Sequence, residues 1–366
     1  MLRDSSSLSL PALSRRGERE RPNVHSDDGG KAMSTHFFGI KDWTFSYSHS
    51  VGRNEFAGTG FRNPVDLALG ANDVVYVLNR SYENRPDGVH VTVVTLNEDY
   101  IREFGSGGEG DGQFIWPTSI ALDGEENVYV ADEWLNRISI FDKNGNFLSK
   151  WGKPGSGDGE LNRPAGLAIS DGTMFLTDSR NHRIQKFTLD GKYLGQFGTF
   201  GSGPGELNMP WGLGLDQDGN IYVADWRNDR IQKFTPEGQW LASFGQSGSG
   251  AGQFNRPSGV CVDQDGEIYV ADRQNDRVQV LAPTGRFVAA FTGDHQLSKW
   301  GKEKLLSNPD MIRQRALAIA HDHGAFEKAF SHPCAVKVDD QYRVAVLDHT
   351  RGRIQVYTKS RDPVLV

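Results

Sequence analysis

The sequence has little of several features that mark common protein classes. Only two of its 366 residues are cysteine, Cys261 and Cys334. A disulfide framework therefore does not stabilise the fold, and a reducing compartment is the simpler expectation. No apolar run approaches the roughly 18 residues that a membrane helix requires, so we expect no membrane partner. The net charge of −7 does not favour nucleic acid or anionic lipid either.

The N-terminal region lacks the apolar segment of a secretory signal. Residues 1–33 are instead rich in serine, arginine and acidic residues. We expect a disordered tail over residues 1–33, with Met33 as a second candidate start, and one domain over residues 34–366. With few cysteines and no signal, the expected protein is a cytoplasmic monomer.

Glycine is abundant, at 43 residues, and a repeating unit is marked by proline. The central prolines are 46 or 47 residues apart, which is about the length of one four-stranded propeller blade. The marker prolines are Pro64, Pro117, Pro164, Pro210, Pro257 and Pro333. Six such units predict a six-bladed β-propeller, an all-β fold of four-stranded antiparallel blades.

The unit that begins at Pro210 shows the four strands most clearly. They read WGLGLD, IYVAD, RIQKF and QWLASFG, with short polar turns between them. The first two strands are almost continuously apolar, as expected for sheets that are covered on both faces. The sixth unit supplies only three strands, so we expect residues 43–52 to pair with it as the missing outer strand and close the ring.

One long insertion, residues 292–329, separates the fifth and sixth units. Pro309 suits the first position of a helix and Gly324 suits its end, which predicts a helix over residues 309–323. Ile312, Ala316, Ile319 and Ala320 would share one apolar face. We expect this face to cover the propeller, either as a lid or as a strut.

The repeated residues around the second and third strands resemble the NHL-repeat family of six-bladed propellers. They are Asp178, Asn181, Arg183 and Ile184, then Asp225, Asn228, Arg230 and Ile231, then Asp272, Asn275, Arg277 and Val278. The resemblance implies the propeller fold. It also implies one of several functions, since relatives include protein-binding and RNA-binding modules, sensor domains and a zinc lyase that acts on peptidyl-hydroxyglycine.

The resemblance to the lyase branch fails at its metal ligands. That branch places zinc-binding histidines directly after the blade prolines. The residues there in this sequence are Val65, Thr118, Ala165, Trp211, Ser258 and Cys334. Because three imidazoles would be needed, we expect no metal and no cofactor, and the hypothesis of an enzyme is disfavoured.

Other groups look chemical but favour structural roles. The repeated Asp and Arg, including Asp132 with Arg137, are expected to pair as scaffold. The glycine-rich segments lack a following Gly-Lys-Ser/Thr and are interpreted as linkers. A metal site at the histidines of the insertion and a thiolate pair of Cys334 with His349 are possible in principle and disfavoured.

Chain direction points to one functional face. The loops from strand four to the next strand one, and from strand two to strand three, lie on the same side of a blade. Both insertions, residues 80–89 and 292–329, fall in such loops. The candidate ligand-binding residues on this face are Trp134, Arg180, Trp211, Trp226, Arg227, Arg273 and His349. Arginine forks beside aromatic rings suit carboxylates, phosphates, stacked bases or a peptide.

Three functions remain open from the sequence. The first is a non-catalytic binding scaffold that recognises a protein or peptide through the face with the insertions. The second is an RNA-binding propeller, which the local arginines favour and the net acidity opposes. The third is a metal-dependent lyase or lactone hydrolase on the same fold.

Overall fold

The structure is a computed structural model that describes residues 43–54, 59–81, 86–320 and 327–360. The predicted tail over residues 1–33 lies outside these ranges. Six four-stranded antiparallel sheets form the blades of a β-propeller, as predicted from the six prolines. Each innermost strand begins at one of those prolines, where a missing N–H costs no ladder bond.

The outermost strand of the last blade comes first in the chain, as β1 (Thr44–Val51). Blade 1 contains β2 (Pro64–Leu69), β3 (Val74–Asn79), β4 (His90–Thr95) and β5 (Tyr100–Phe104). Blade 2 follows the short β6 (Ser106–Gly107) and β7 (Gln113–Phe114), and contains β8 (Pro117–Leu122), β9 (Val128–Asp132), β10 (Arg137–Phe141) and β11 (Phe147–Trp151). Blade 3 contains β12 (Pro164–Ser170), β13 (Thr173–Asp178), β14 (Arg183–Thr188) and β15 (Tyr193–Phe197).

Blade 4 follows the short β16 (Thr199–Phe200) and β17 (Glu206–Leu207), and contains β18 (Pro210–Leu215), β19 (Ile221–Asp225), β20 (Arg230–Phe234) and β21 (Trp240–Phe244). Blade 5 contains β22 (Pro257–Val262), β23 (Ile268–Asp272), β24 (Arg277–Leu281) and β25 (Phe287–Phe291). Helices α1 (Lys299–Leu306) and α2 (Pro309–Ala320) follow, and blade 6 adds β26 (Pro333–Val338), β27 (Arg343–Asp348) and β28 (Arg353–Ser360). Short 3-10 helices cover Pro86–Gly88, Ser179–Asn181, Trp226–Asn228 and Arg273–Asn275.

The innermost strands approach one another closely around the axis. A Cβ on Gly166 would lie 2.3 Å from the carbonyl oxygen of Trp211, and one on Gly212 would lie 2.4 Å from that of Ser258. Only glycine allows this backbone spacing. The central channel is therefore narrow, and a ligand on this fold must lie mainly across one end of it.

The N-terminal strand closes the ring, as predicted. β1 pairs antiparallel with β28, from Thr44 opposite Ser360 to Val51 opposite Ile354. Lys359 of β28 is fully buried and its Nζ lies 2.6 Å from Asp263 of the neighbouring blade. Closure within one chain covers the edge of β28, which would otherwise be unpaired.

A buried glutamate joins the closing seam to the insertion. Glu98 has φ 63° in the turn between β4 and β5, where the other turns of this kind hold glycine. Its carboxylate accepts the N–H of Gly52 at 2.7 Å and the N–H of Trp300 at 2.9 Å. Trp300, in α1, is buried with its ring 6.1 Å from that of Phe61. The insertion is thus attached to the propeller through α1, which the sequence did not predict.

The role expected for the second helix is wrong over its described side chains. The prediction that it begins at Pro309 is confirmed, but Met311, Ile312 and Leu317 are 40–48% exposed. The side chains of Ile319 and Ala320, and residues 321–323, lie outside the described part. In the part that is described, α2 does not cover the propeller with its apolar residues.

Candidate functional site

The repeated strand-end charges belong to the scaffold, as predicted. Arg230 donates from Nε to the fully buried Asp225 at 2.8 Å. Its Nη atoms also donate to the carbonyl oxygens of Ser202, Gly203 and Glu206, at 2.7, 2.8 and 2.9 Å. Equivalent pairs are Asp178–Arg183, Asp272–Arg277 and Asp348–Arg353. The glycine-rich linkers therefore present carbonyl acceptors to the scaffold arginines.

Blade 2 departs from this pattern. Within the described residues Arg137 forms no ion pair with Asp132, so that expected pair is corrected. Arg137 donates only to backbone carbonyls, including that of Gln113 at 2.8 Å. Asp132 instead accepts backbone N–H groups, among them Ile115 at 2.7 Å and Leu135 at 3.0 Å. The carboxylate still organises the loop, but it does so without the guanidinium.

One position in each blade lies at the mouth of the channel, directly after the second strand. We call these six residues the mouth ring: Arg80, Glu133, Ser179, Trp226, Arg273 and His349. Several of them contact the beginning of the next blade. Arg80 lies over Trp116, for example, and His349 reaches the carbonyl of Pro64. The ring therefore links neighbouring blades on the face that carries the insertions.

The blade 2 cluster consists of Trp116, Trp134, Arg80, Arg163 and Glu133. The two indoles are 4.7 Å apart, and the guanidinium groups of Arg80 and Arg163 lie 4.9 and 5.8 Å from the Trp116 ring. Glu133 is buried, 2.7 Å from Arg80 and 3.8 Å from Arg163. One internal carboxylate thus serves two arginines over one indole.

The blade 4 cluster consists of Trp211, Trp226, Arg227, Arg256 and Asp229. Its indoles are 5.8 Å apart, and Arg227 and Arg256 lie 5.7 and 4.9 Å from the Trp226 ring. The carboxylate of Asp229 accepts the backbone N–H of Arg256 at 2.8 Å and is 4.0 Å from its guanidinium. No described carboxylate bridges these two arginines as Glu133 does in blade 2.

Three predicted arginines of this face have no carboxylate partner among the described residues. They are Arg180, Arg227 and Arg273, on three successive blades. The strand-end carboxylates do not neutralise them, because Asp178 and Asp225 bind Arg183 and Arg230. The pKa of His182 is lowered by burial first and then by the charges of Arg180 and Arg227. These two cations therefore lie close to one imidazole.

His349 and Cys334 meet at the channel mouth, but not as a thiolate pair. His349 Nδ1 lies 2.9 Å from the carbonyl oxygen of Pro64, so it must be the protonated nitrogen. The Cys334 thiol donates to the same oxygen at 3.4 Å. Burial raises the pKa of Cys334 to about 12 and lowers that of His349 to about 4, the latter with help from Arg273. The thiol stays protonated and the imidazole neutral at pH 7.

The structure brings part of the predicted set together. Trp211 and Trp226 pack beside Arg227 with their rings tilted by 42°, whereas Trp134, 52% exposed, belongs to blade 2. Sequence reasoning missed Trp116 and Glu133. Trp116 directly precedes a marker proline, as Arg163 and Arg256 do, and that shared position was an available signal. Nothing in the sequence pattern marked Glu133 as a bridge.

The described ranges contain neither a candidate metal cluster nor a helix that could cross a membrane. Over the described ranges, no group of three or more histidine, cysteine, aspartate or glutamate side chains could hold a metal ion. His321 and His323, two histidines of the disfavoured metal hypothesis, lie outside those ranges. Neither described helix has the length and apolar character needed to cross a membrane.

Comparison with protein families supports the repeat assignment. The family model for the SMP-30/gluconolactonase/LRE-like region matches residues 158–247, and that for the NHL repeat matches residues 254–281. The chain is thus a six-bladed β-propeller, and the match to the NHL repeat over residues 254–281 confirms the resemblance for that segment. No curated protein matches the chain.

Solved structures share the fold at low sequence identity. A protein of unknown function from Bacteroides thetaiotaomicron is 16% identical with a TM-score of 0.59, and the match covers 87% of this chain and 77% of that one. A catalytically inactive virginiamycin B lyase from Staphylococcus aureus with quinupristin is 13% identical, with a TM-score of 0.51 and coverage of 89% and 90%. A streptogramin B lyase has the same identity and TM-score, with coverage of 88% and 89%. Likeness at this level concerns the fold alone.

Proposed function

We propose that this propeller is a non-catalytic binding scaffold that recognises a protein or peptide through the face bearing its insertions. The observation that carries the proposal is the blade 4 cluster. Two half-buried indoles and two arginines converge there without a bridging carboxylate. Aromatic side chains and arginines of this kind dominate the binding energy of protein interfaces.

The rigid core beneath this face favours recognition without large rearrangement. The scaffold arginines tie each second-to-third strand loop to the preceding linker through several hydrogen bonds. Side chains held on such loops keep their positions, so little conformational entropy is lost on binding. A cytoplasmic monomer remains part of the proposal, supported by two free buried cysteines and by closure of the ring within one chain.

Catalysis has less support than binding. The thiol of Cys334 and Nδ1 of His349 both bind the carbonyl oxygen of Pro64. Burial raises the pKa of the thiol, so the two groups do not form a thiolate–imidazolium pair. A metal-dependent lyase would in addition need a set of ligands that the described residues do not assemble. The shared fold of the lyases therefore gives no reason to assign a lyase activity to this site.

RNA binding is the second candidate, because exposed Trp134 and the arginines over Trp226 could stack bases. The charge of the whole chain opposes it, since non-specific RNA binding depends on many cationic contacts. Filter binding of a single-stranded RNA at two salt concentrations separates the two. Tight binding with a steep salt dependence would contradict the peptide proposal.

Selection from a random dodecapeptide display library tests the proposal directly. We expect wild type to enrich peptides whose binding is abolished in the double variant Trp211→Ala, Arg227→Glu, with melting temperature within a few degrees of wild type. The control is Arg286→Gln, which removes an exposed arginine from a turn on the opposite face. Failure to enrich any peptide, or equal binding by the double variant, overturns the proposal.

A further inference from the structure

The blade 2 cluster and the blade 4 cluster share the same arrangement of two indoles and two arginines. They differ in whether a carboxylate bridges the arginines. In the blade 2 cluster, two arginines over one indole are bridged by the buried Glu133. In the blade 4 cluster, two arginines also lie over one indole, but Asp229 accepts the backbone N–H of Arg256, lies 4.0 Å from its guanidinium, and forms no described ion pair with Arg227. The chain itself therefore shows which group satisfies such an arrangement, namely a carboxylate that is held against the indole.

The unbalanced charge extends to both neighbours of blade 4. Arg180 of blade 3 and Arg273 of blade 5 have no carboxylate partner among the described residues, and neither does Arg227. Arginines on adjacent blades repel one another unless an anion lies between them. The whole chain has a net charge of −7. The three arginines without a described carboxylate partner therefore form a local region of positive charge in an acidic protein.

A second observation comes from the mouth ring of blade 3. Ser179 holds the place that Glu133 holds in blade 2, directly after the second strand. It is only 3% exposed, and its hydroxyl has no hydrogen-bond partner among the described residues. Buried polar atoms are normally satisfied. The blade 3 position of the mouth ring thus holds an unsatisfied hydroxyl where blade 2 has the carboxylate of Glu133.

The following inference rests on the proposed function. We propose that the partner is an acidic linear peptide, with carboxylate side chains that pair with Arg180, Arg227 and Arg273. One of its residues packs on the Trp211–Trp226 surface. A ligand carboxylate takes the place in blades 3 to 5 that Glu133 takes in blade 2. Bidentate contacts between guanidinium and carboxylate give such recognition both strength and direction.

The chemistry favours a short acidic peptide over RNA. The unpaired arginines occupy three blades, whereas on the blade 2 side of the mouth Arg80 and Arg163 are already bridged by the buried Glu133. A long polyanion that crosses the whole face would gain less from these paired arginines and would meet the overall acidity of the chain. A peptide can place its few carboxylates on the cationic side alone.

The test is a double-mutant cycle on peptides enriched by the wild-type protein. Each acidic residue of a peptide is changed to its amide, and both forms are titrated against wild type and against Arg180→Gln, Arg227→Gln, Arg273→Gln. We expect the amide form to bind wild type at least about 10-fold more weakly, as for a lost charge-assisted contact. The triple variant should bind the two forms within about twofold of each other.

A matched control keeps the cycle specific. Lys143→Gln, Lys192→Gln, Arg286→Gln removes three exposed cations from turns on the opposite face and should leave the wild-type discrimination intact. As a converse, Ser179→Glu installs an internal carboxylate and should weaken acidic peptides about 10-fold if its unfolding curve is unchanged. The cycle stands without this variant if Ser179→Glu does not fold.

Failure of this inference can be told from failure of the proposed function. Enriched peptides that need Trp211 and Trp226 but carry no acidic residue would overturn the acidic ligand and keep the binding scaffold. An equal loss on amide substitution in wild type and triple variant would do the same. RNA binding that is lost in the triple variant would overturn both.

Discussion

Two kinds of arginine share one loop in each of blades 3, 4 and 5. Arg227 and Arg230 are three positions apart, yet Arg230 makes four hydrogen bonds, to a buried aspartate and three carbonyl groups. Arg227 has a ring contact with Trp226 and no described carboxylate partner. The first arginine holds the linker of its blade, and the second faces outward at the channel mouth. Partners, rather than residue type or spacing, therefore separate scaffold from candidate site.

The largest expected difference concerns stability. Arg230→Gln leaves the fully buried carboxylate of Asp225 without its counter-charge and should lower the free energy of unfolding by about 3–5 kcal/mol. Arg227→Gln should change it by no more than about 0.5 kcal/mol, as is usual for exposed side chains. Urea unfolding of both variants measures the contrast. Equal losses would remove the distinction between the two kinds of arginine.

The buried Lys359 is a third cation that can be compared with Arg230 and Arg227. Lys359 is fully buried between Asp263, Asp265 and Glu267, at 2.6, 2.8 and 3.1 Å. Lys359→Met should cost about 3 kcal/mol at pH 7, because uncompensated carboxylates remain buried. The loss should shrink as pH falls, because burial already raises the pKa of Glu267 and this carboxylate can then take up a proton. A loss that does not depend on pH would show that packing, not charge, makes this cation important.

A smaller effect concerns the pH dependence of stability, through the protonation of His349 at the channel mouth. His349 has a pKa of about 4, against 6.5 for the ordinary group, through burial first and then Arg273. The neutral form is favoured in the fold, so its contribution to stability is fully present above about pH 6.5 and is lost as pH falls towards 4. His295, with a pKa of about 3, acts in the same direction.

The variant Arg273→Gln isolates that electrostatic contribution. Without the arginine the pKa of His349 should rise, and the loss of melting temperature between pH 6.5 and 4 should become smaller. His349→Gln should flatten the same curve further. NMR titration of the His349 ring checks the direction. An unchanged pKa in Arg273→Gln would mean that the unpaired charge does not reach the channel mouth.

The sequence predicted the parts of this protein that repeat. The six prolines located the innermost strands, and the missing fourth strand of the last unit predicted pairing of β1 with β28. The scaffold role of the pairs such as Asp225–Arg230 also followed, since the partners lie five positions apart in blades 3 to 6. The same spacing of Asp132 and Arg137 in blade 2 does not give an ion pair.

Features that occur once were not predictable in this way. Glu133 meets Arg80 from another blade, 53 positions earlier in the chain, and only the ring geometry brings them together. Glu98 adopts a positive φ where other turns have glycine, because its carboxylate is bound by Gly52 and Trp300. Helix α1 docks through that same contact. Such partners depend on tertiary structure and leave no period in the sequence.

Ligand-dependent thermal unfolding tests the central claim most directly. An enriched acidic peptide is added at increasing concentration to wild type, to the Arg180, Arg227, Arg273→Gln variant and to the Lys143, Lys192, Arg286→Gln control. Since a ligand stabilises only the fold that binds it, Tm should rise for wild type and control and stay constant for the first variant. An equal rise in all three proteins would contradict a binding site at the mouth of blades 3 to 5.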